Sequence, residues 1–500
     1  MGVAVFLSRI LGLVREQILF SLFGVGIHTD AYKLAFRIPN LFRDLLAEGA
    51  LSSAFVSVFS KEKSAQRRSE IFTRCFVVLL ITLVVLVLAI ALFAPSIVSL
   101  LAERFSEVEG KYELTVFLTR LLAPFILFAS VASIAMGALN SRGYFFIPAL
   151  GSSLFNLIGI ASGVLAYFVF HEDGQSTKQS IIVFSTGVLV GGFSQILIQL
   201  PLLRKEEKPL SFRPLSIFSL SSVKQAFCDP VIKRVVKMIA PATIGVAAMQ
   251  LNVVITTFFA TDLGQNRVSW MDAAYRLIHF PVGLFGVSLF AASLPQFSKL
   301  SKNFEELSKR ASETMALALI LAIGSTAGLI AFGEIILSMI FERGLFTRVD
   351  TLAVYEALVG YALGIAFFIL VKLCVSIFYA FEDVKTPSLI SLFCVGVNFV
   401  LAPLLGERYG HMGLALSVSI TSASNLILLI VFLKMRSVSI VSREFMQAFG
   451  ASIAGALVLL SAKYFGYTDR LLEIRDSAGF ITSSIYSVSY THLRAHETCL

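Results

Sequence analysis

The sequence is poor in charge, in cysteine and in tryptophan. Only 15% of its 500 residues are Asp, Glu, Lys or Arg, against about a quarter in soluble domains, and no polar stretch is long enough to set apart a water-soluble domain. An ordinary cytosolic enzyme is excluded. The five cysteines, Cys75, Cys228, Cys374, Cys394 and Cys499, show no CxxC or CxxxC spacing, so neither a disulfide framework nor a metal site is expected. A single Trp stands against 45 Phe, a composition suited to greasy helix faces. Also missing are a glycine-rich phosphate loop followed by Lys, a Ser/His/Asp constellation and paired acidic metal ligands, which leaves ATP hydrolysis and covalent catalysis without machinery. No cleavable signal peptide is expected, because Arg9 and Arg15 interrupt the first apolar stretch. The expectation is a protein that is not an enzyme and carries no cofactor.

Apolar sequence is what is present, from end to end: 57% hydrophobic residues and a mean hydropathy of +0.84. At about 20 residues per crossing, spans fall near 2–24, 31–59, 75–101, 114–139, 146–170, 180–203, 235–260, 269–297, 313–341, 352–380, 388–405, 412–433 and 445–466. The fold class expected is an all-α polytopic membrane protein of two parallel-repeat six-helix bundles plus a C-terminal helix, with about thirteen crossings. The chain divides into an N-terminal six-helix lobe (1–203), a cytoplasmic linker (204–234), a C-terminal six-helix lobe (235–433), an additional transmembrane helix (434–466) and a tail (467–500) too polar to cross, read as incomplete or non-native. Lys and Arg fall about 22 to 7 in favour of one set of alternate loops, which places that set and the N-terminus in the cytoplasm. The same asymmetry accounts for a net charge of +9 and a pI near 9.3 without a nucleic-acid partner.

The halves repeat. Asp30, Ala31 and Tyr32 precede Pro39 as Asp272, Ala273 and Tyr275 precede Pro281; Phe59-Ser60-Lys61 recurs as Phe297-Ser298-Lys299, and Pro148 as Pro387. An even number of crossings between each pair makes the repeats parallel, one of the symmetry patterns of secondary transporters.

Charges lie where lipid-facing residues should be: Arg9 and Arg15 in the first span, Lys33, Arg37, Arg43, Asp44 and Glu48 in the second, Asp272 and Arg276 in the eighth. Each costs about 2.5–3.5 kcal/mol at bilayer depth, so they should face a protein interior or a wet cavity. Two readings stay open for Lys33 and Arg37, which either line that cavity or snorkel to the interface. Asp44 and Glu48 either neutralise Arg43 or Arg15 or stand apart from them. Arg120 and Lys372 read as single buried helix–helix pairs rather than ligand groups. Arg9, Arg15, Arg43 and Arg276 come from both halves and outnumber nearby carboxylates; guanidinium forks match phosphate oxygens, so a phosphate-bearing substrate is expected.

The run Ser8 to Glu16, with Thr29-Asp30-Ala31-Tyr32, Arg37-Ile38-Pro39-Asn40-Leu41-Phe42-Arg43 and Ala47-Glu48-Gly49-Ala50, closely resembles the N-terminal signature of the MviN/MurJ family of lipid II flippases. Asn140, Pro148, Val268 to Met271, Tyr275-Arg276-Leu277 and Asp383 to Pro387 extend the resemblance to about residue 466. The resemblance implies a MATE-like fold with two lobes around a cationic cavity, and transfer of lipid II, the undecaprenyl-diphosphate-linked peptidoglycan precursor, from the inner to the outer leaflet of the bacterial cytoplasmic membrane by alternating access. It implies substrate-binding roles for Arg9, Arg15, Arg43 and Arg276, and gating or supporting roles for Asp30, Pro39, Asn40 and Glu48. His279 departs from the family, standing where some relatives carry an acidic residue. Expected partners are lipid II, membrane lipids and the cell-wall synthesis machinery. A coupling ion, sodium or proton, is left open, with Asn252, Asn398 and Thr421 as available polar groups. The alternative function is export of another lipid-linked oligosaccharide or an amphipathic drug.

Overall fold

A computed structural model describes residues 2–43, 65–140, 146–170, 177–204 and 250–465, with a few isolated positions between them. The tail at 467–500 and nearly all of the linker at 204–234 lie outside the described residues. The N-terminal lobe contains α1 (Gly2–Phe23), α2 (Ile27–Arg43), α3 (Ala65–Leu101), α4 (Lys111–Leu122), α5 (Phe125–Asn140), α6 (Phe146–Phe170) and α7 (Lys178–Arg204). The C-terminal lobe contains α8 (250–262), α9 (Arg267–Pro281), α10 (Ser288–Leu300), α11 (Phe304–Phe341), α12 (Arg348–Ala362), α13 (Ile365–Ala380) and α14 (Lys385–Met435), followed by α15 (Arg443–Tyr464). Among the described residues there is no strand.

Apolar content makes these segments helical, because a backbone in lipid must satisfy its own hydrogen bonds. Local chemistry then sets their ends. Asn303 caps α11 by accepting from the Glu306 amide at 3.2 Å, and Thr347 with Asp350 forms a capping box at the start of α12. Phe168 (79% exposed) and Leu92 (71%) face outward from a lobe whose packed interior is elsewhere, as lipid contact demands.

Among the described residues eight helices are long and apolar enough to cross a membrane, or nine when the bent α12–α13 pair counts as one span. The expected count of thirteen is therefore not reached among them. α1 and α2 are charged or short, and the stretches 44–64 and 230–246 are not described. The 51 residues of α14 would measure about 77 Å as one helix, more than twice a bilayer core. The chain breaks at Gly410, whose φ of 59° is left-handed, and yields the two expected crossings either side. Both lobes carry a broken crossing at matching places, α4–α5 interrupted at Ala123-Pro124 and α12–α13 at Leu363-Gly364 with a bend of 40°. Neither interruption was expected from hydropathy, which runs apolar straight through.

Within the N-terminal lobe α6 packs between α1 and α7, and α2 lies on α4; within the C-terminal lobe α14 packs on α12 and α13, and α15 runs along α11. The lobes meet chiefly where α2 lies along α9, the pair that carries the repeated Asp-to-Pro motif. Among the described residues, further hydrogen bonds tie them together at the end that carries the α1–α2 turn. Leu345 donates its amide to the Ser21 carbonyl at 2.9 Å, the Thr261 hydroxyl donates to the Leu101 carbonyl at 3.1 Å, and Arg104 donates to the Asp262 carbonyl at 2.5 Å.

Candidate functional site: a cation-rich cluster between the lobes

At the middle of the α2–α9 seam, four cations share two carboxylates. Glu16 on α1 is 2% exposed. It accepts from Arg15 at 3.3 Å and from Arg276 at 3.0 Å, and is bonded by the Lys33 ammonium as well. Asp272 on α9 takes Lys33 at 2.6 Å and Arg37 at 3.2 Å, with Arg276 at 3.8 Å. Arg37 also donates to the Thr257 hydroxyl on α8. Lys33 further sits 5.0 Å from the ring centre of Phe20, and Arg15 4.8 Å from that of Phe155.

Charge is left over. Arg15, Lys33, Arg37 and Arg276 against Glu16 and Asp272 leave a formal excess of two positive charges. Hydrogen-bond capacity is left over too: Nε and Nη1 of Arg15 and Nε of Arg276 are buried with no acceptor among the described residues. Buried donors are nearly always satisfied in folded proteins, and each orphan costs about 1–3 kcal/mol. Arg276 keeps 37% of its side chain exposed; Arg15 is walled in at 5%, its stem passing over Gly159, where a Cβ would lie 2.8 Å from Arg15 Cδ.

The substrate-binding residues expected from sequence separate into groups. Arg15 and Arg276 are brought together on Glu16. Arg9 is not with them: it is exposed and lies over Gly283 on the far side of Pro281, where a Cβ would be 2.7 Å from its Nη1. Arg43 is the last residue of α2 and half-buried, about 9 Å of helix rise beyond Arg37. Lys33 and Arg37 do not snorkel. Two carboxylates hold them inside the seam, and Lys33 is 7% exposed. Arg120 pairs with a neighbouring helix, donating to the Ala91 carbonyl at 3.0 Å, but from an exposed position; among the described residues neither it nor Lys372 has a carboxylate within 4 Å. Glu16 was missed as a functional residue although it stands inside the signature run.

Of the gating or supporting residues, Asp30 has the clearest placement. Fully buried, it accepts from Lys111 at 2.9 Å and reaches across the seam to the start of α9. There it takes the Asn266 amide at 2.9 Å, the Ser269 amide at 3.2 Å and the Ser269 hydroxyl at 2.5 Å, so a side chain of one lobe caps a helix of the other. Pro39 is buried inside α2, which continues through it to Arg43, and Asn40 beside it is half-buried. Glu48 and Asp44 lie outside the described residues.

Below the cluster, on the C-terminal side of the seam, a cavity of about 620 Å³ opens between α8, α9, α13 and α14. Arg37 and Asp272 form one wall, and Tyr275, His279, Lys372 and Asn425 are among the others. Asn252 also lines it, whereas Asn398 and Thr421 are buried within the lobe.

A family model described as lipid II flippase MurJ matches residues 19–473. The lipid II flippase MurJ of Burkholderia cenocepacia is 34% identical over 468 residues, covering 91% of this chain and 86% of that protein. The probable lipid II flippase MurJ of Buchnera aphidicola subsp. Schizaphis graminum is 34% identical over 434 residues, covering 86% and 81%. Among solved structures, a lipid II flippase MurJ in an inward closed conformation superposes with a TM-score of 0.76 at 25% identity, covering 91% of each chain. An inward-facing multidrug resistance MATE family transporter gives 0.72 at 15% identity, covering 86% of this chain and 94% of that one, and shares the fold.

Proposed function

The chain belongs to the lipid II flippase MurJ family, and from that membership we propose that its Arg15–Arg276 cluster holds the diphosphate of lipid II during transfer. The protein is a multi-pass inner-membrane flippase and not an enzyme; moving lipid II between leaflets serves cell-wall synthesis. The observation that carries the proposal is the double surplus around Glu16, in charge and in unused N–H donors. A diphosphate diester carries one ionised oxygen on each phosphorus. It would match the excess charge and supply acceptors for the orphaned guanidinium edges, with charge-assisted bonds worth about 1.5–3 kcal/mol each.

The charge asymmetry of the loops supports a cytoplasmic N-terminus. In that orientation the turn between α1 and α2, and with it Asp30, lies on the periplasmic side, and the described state is latched there. An anion arriving from the cytoplasmic side competes with Glu16 and Asp272 for Arg276 and so loosens the α2–α9 seam. Transport then follows from differential affinity, since a ligand shifts a conformational equilibrium only by what it gains more in one state. Each negative charge carried outward through an inside-negative potential releases about 2.3 kcal/mol per 100 mV.

Leaflet exchange of labelled lipid II in liposomes tests the assignment. Arg276→Ala and Arg15→Ala are each expected to lower the exchange rate at least about tenfold, since each deletes one partner of a buried charged network. Arg310→Ala, which removes an exposed pair with Glu313, should leave it unchanged. Wild-type rates in both cluster variants would remove the basis for the proposal.

A further inference from the structure

Asp272, Arg276, His279, Gly283 and Gly286 follow one another at helical intervals, so they share one face of the helix that runs from α9 through a π turn (Val282–Val287) into α10. Two cations from other helices are seated on the lower part of that face. Arg9 of α1, from the opposite lobe, lies over Gly283, and the stem of Lys372 of α13 lies over Gly286, where a Cβ would be 3.3 Å from Lys372 Cδ. A side chain at either glycine would displace them. His279 comes one turn earlier, its ring 4.2 Å from that of Tyr275 and its Nδ1 3.0 Å from the Tyr275 carbonyl, and it lines the same cavity as Lys372. Among the described residues no carboxylate lies within 4 Å of Arg9, His279 or Lys372. Glu16 and Asp272, the acidic groups nearest in sequence register, are already engaged about two or more turns above.

We propose that Arg9 and Lys372, on either side of His279, form a second oxyanion subsite, which takes a carboxylate of the peptide carried on the lipid headgroup. The inference rests on the reading that the Arg15–Arg276 cluster holds the diphosphate. From Arg276 to Gly283 and Gly286 the helix rises about 10–15 Å, farther than the oxygens of one diphosphate can span. The two cationic groups therefore call for two separate anions on one elongated headgroup. Beside Lys372 and Asp272 the cavity wall offers Tyr275, Tyr379, Ser388, Asn252 and Asn425, hydrogen-bonding side chains suited to sugar hydroxyls and peptide amides rather than to a lipid tail. A cavity of 620 Å³ is the size of a site for a drug-sized group and takes part of such a headgroup, not all of it.

The test is equilibrium binding to the full chain in nanodiscs, with two probes: lipid II, and the same undecaprenyl-diphosphate-linked disaccharide without its peptide. Wild type should prefer lipid II. Lys372→Gln and Arg9→Gln should each weaken lipid II binding about tenfold while leaving the peptide-free lipid as in wild type, which also shows the variants folded. Lys372→Arg should restore the preference. Arg276→Gln should weaken both probes alike. Equal loss of both probes in Lys372→Gln and Arg9→Gln, or unchanged lipid II binding in both, would overturn the second subsite. If those variants lose the preference while Arg276→Gln binds both probes normally, the second subsite stands and the diphosphate assignment falls.

Discussion

Asp30 and Asp272 occupy equivalent positions in the two repeats, yet their surroundings are opposite in character. Asp30 is sealed, with one cation, two backbone amides and one hydroxyl directed at its oxygens. Asp272 shares four cations with Glu16, and three guanidinium nitrogens nearby go without an acceptor among the described residues. Geometry of the same repeat thus produces a closed latch in one place and an unfinished one in the other. A satisfied network holds a state together, whereas an unsatisfied one in a seam that opens onto a cavity is poised for an outside anion.

The largest effect expected from this contrast is at the latch. Asp30→Ala strands the Lys111 ammonium, 1% exposed, and should lower thermal stability in detergent by about 3–5 kcal/mol, with Asp30→Asn much milder because it keeps an acceptor for the α9 amides. Equal losses in the two variants would show that the charge on Asp30, which both remove, accounts for the whole effect and its acceptor role toward α9 for none. Next comes Glu16→Gln, which raises the surplus charge of the other cluster. The ligand-free protein should lose about 2 kcal/mol but regain it when a lipid diphosphate is added, and bind that lipid more tightly than wild type does. Thermal shifts with and without the lipid decide this; loss without recovery would make Glu16 a purely structural partner.

These contrasts were legible in sequence only in part. Arg15, Arg276 and Asp30 stood out because charge inside an apolar run needs a reason, and the Asp-to-Pro repeat placed α2 and α9 as counterparts. Glu16 did not stand out. Its cations come from α1, α2 and α9, and only the packing of α9 across the seam brings Arg276 to it; no spacing along α1 encodes that approach. Snorkelling remained open for Lys33 and Arg37 for the same reason, since their partner Asp272 is more than 230 residues away. Arg9 and Arg15 stand six residues apart on one helix, about 9 Å of rise, a separation that grouping the arginines by charge alone passes over. Crossings were readable from length and hydropathy, but their breaks at 123–124 and 363–364 were not, because apolar residues continue through both.

A smaller effect is expected at Gly159, where the Arg15 stem crosses α6. Gly159→Ala should cost about 1 kcal/mol and lower lipid II exchange with it, whereas a stability loss with normal exchange would separate the position of Arg15 from transport. Smallest of all is the pair at the turn before α14. Partial burial pushes the Asp383 carboxyl upward, but hydrogen bonds from the Thr386 hydroxyl (2.6 Å) and amide (3.0 Å) and from Arg436 outweigh it and hold its pKa below the ordinary value. A depressed carboxyl contributes stability that is complete above its unfolded pKa of about 3.9 and lost as pH falls through the folded value. With Arg436 38% exposed, solvent screening limits this to about 0.5 kcal/mol. Melting curves of wild type and Asp383→Asn should therefore differ slightly at pH 7 and converge below pH 4; a difference that persists in acid would assign the effect to shape instead of charge.

The central claim is that the seam cluster is short of an anion, and a structure of the full chain in nanodiscs with undecaprenyl diphosphate tests it most directly. The account predicts phosphate oxygens within hydrogen-bond distance of Arg276 and of the Arg15 nitrogens that now lack acceptors, with Glu16 drawn away from Arg276. Phosphate bound elsewhere, with the Glu16–Arg276 contact still at 3.0 Å, would contradict it.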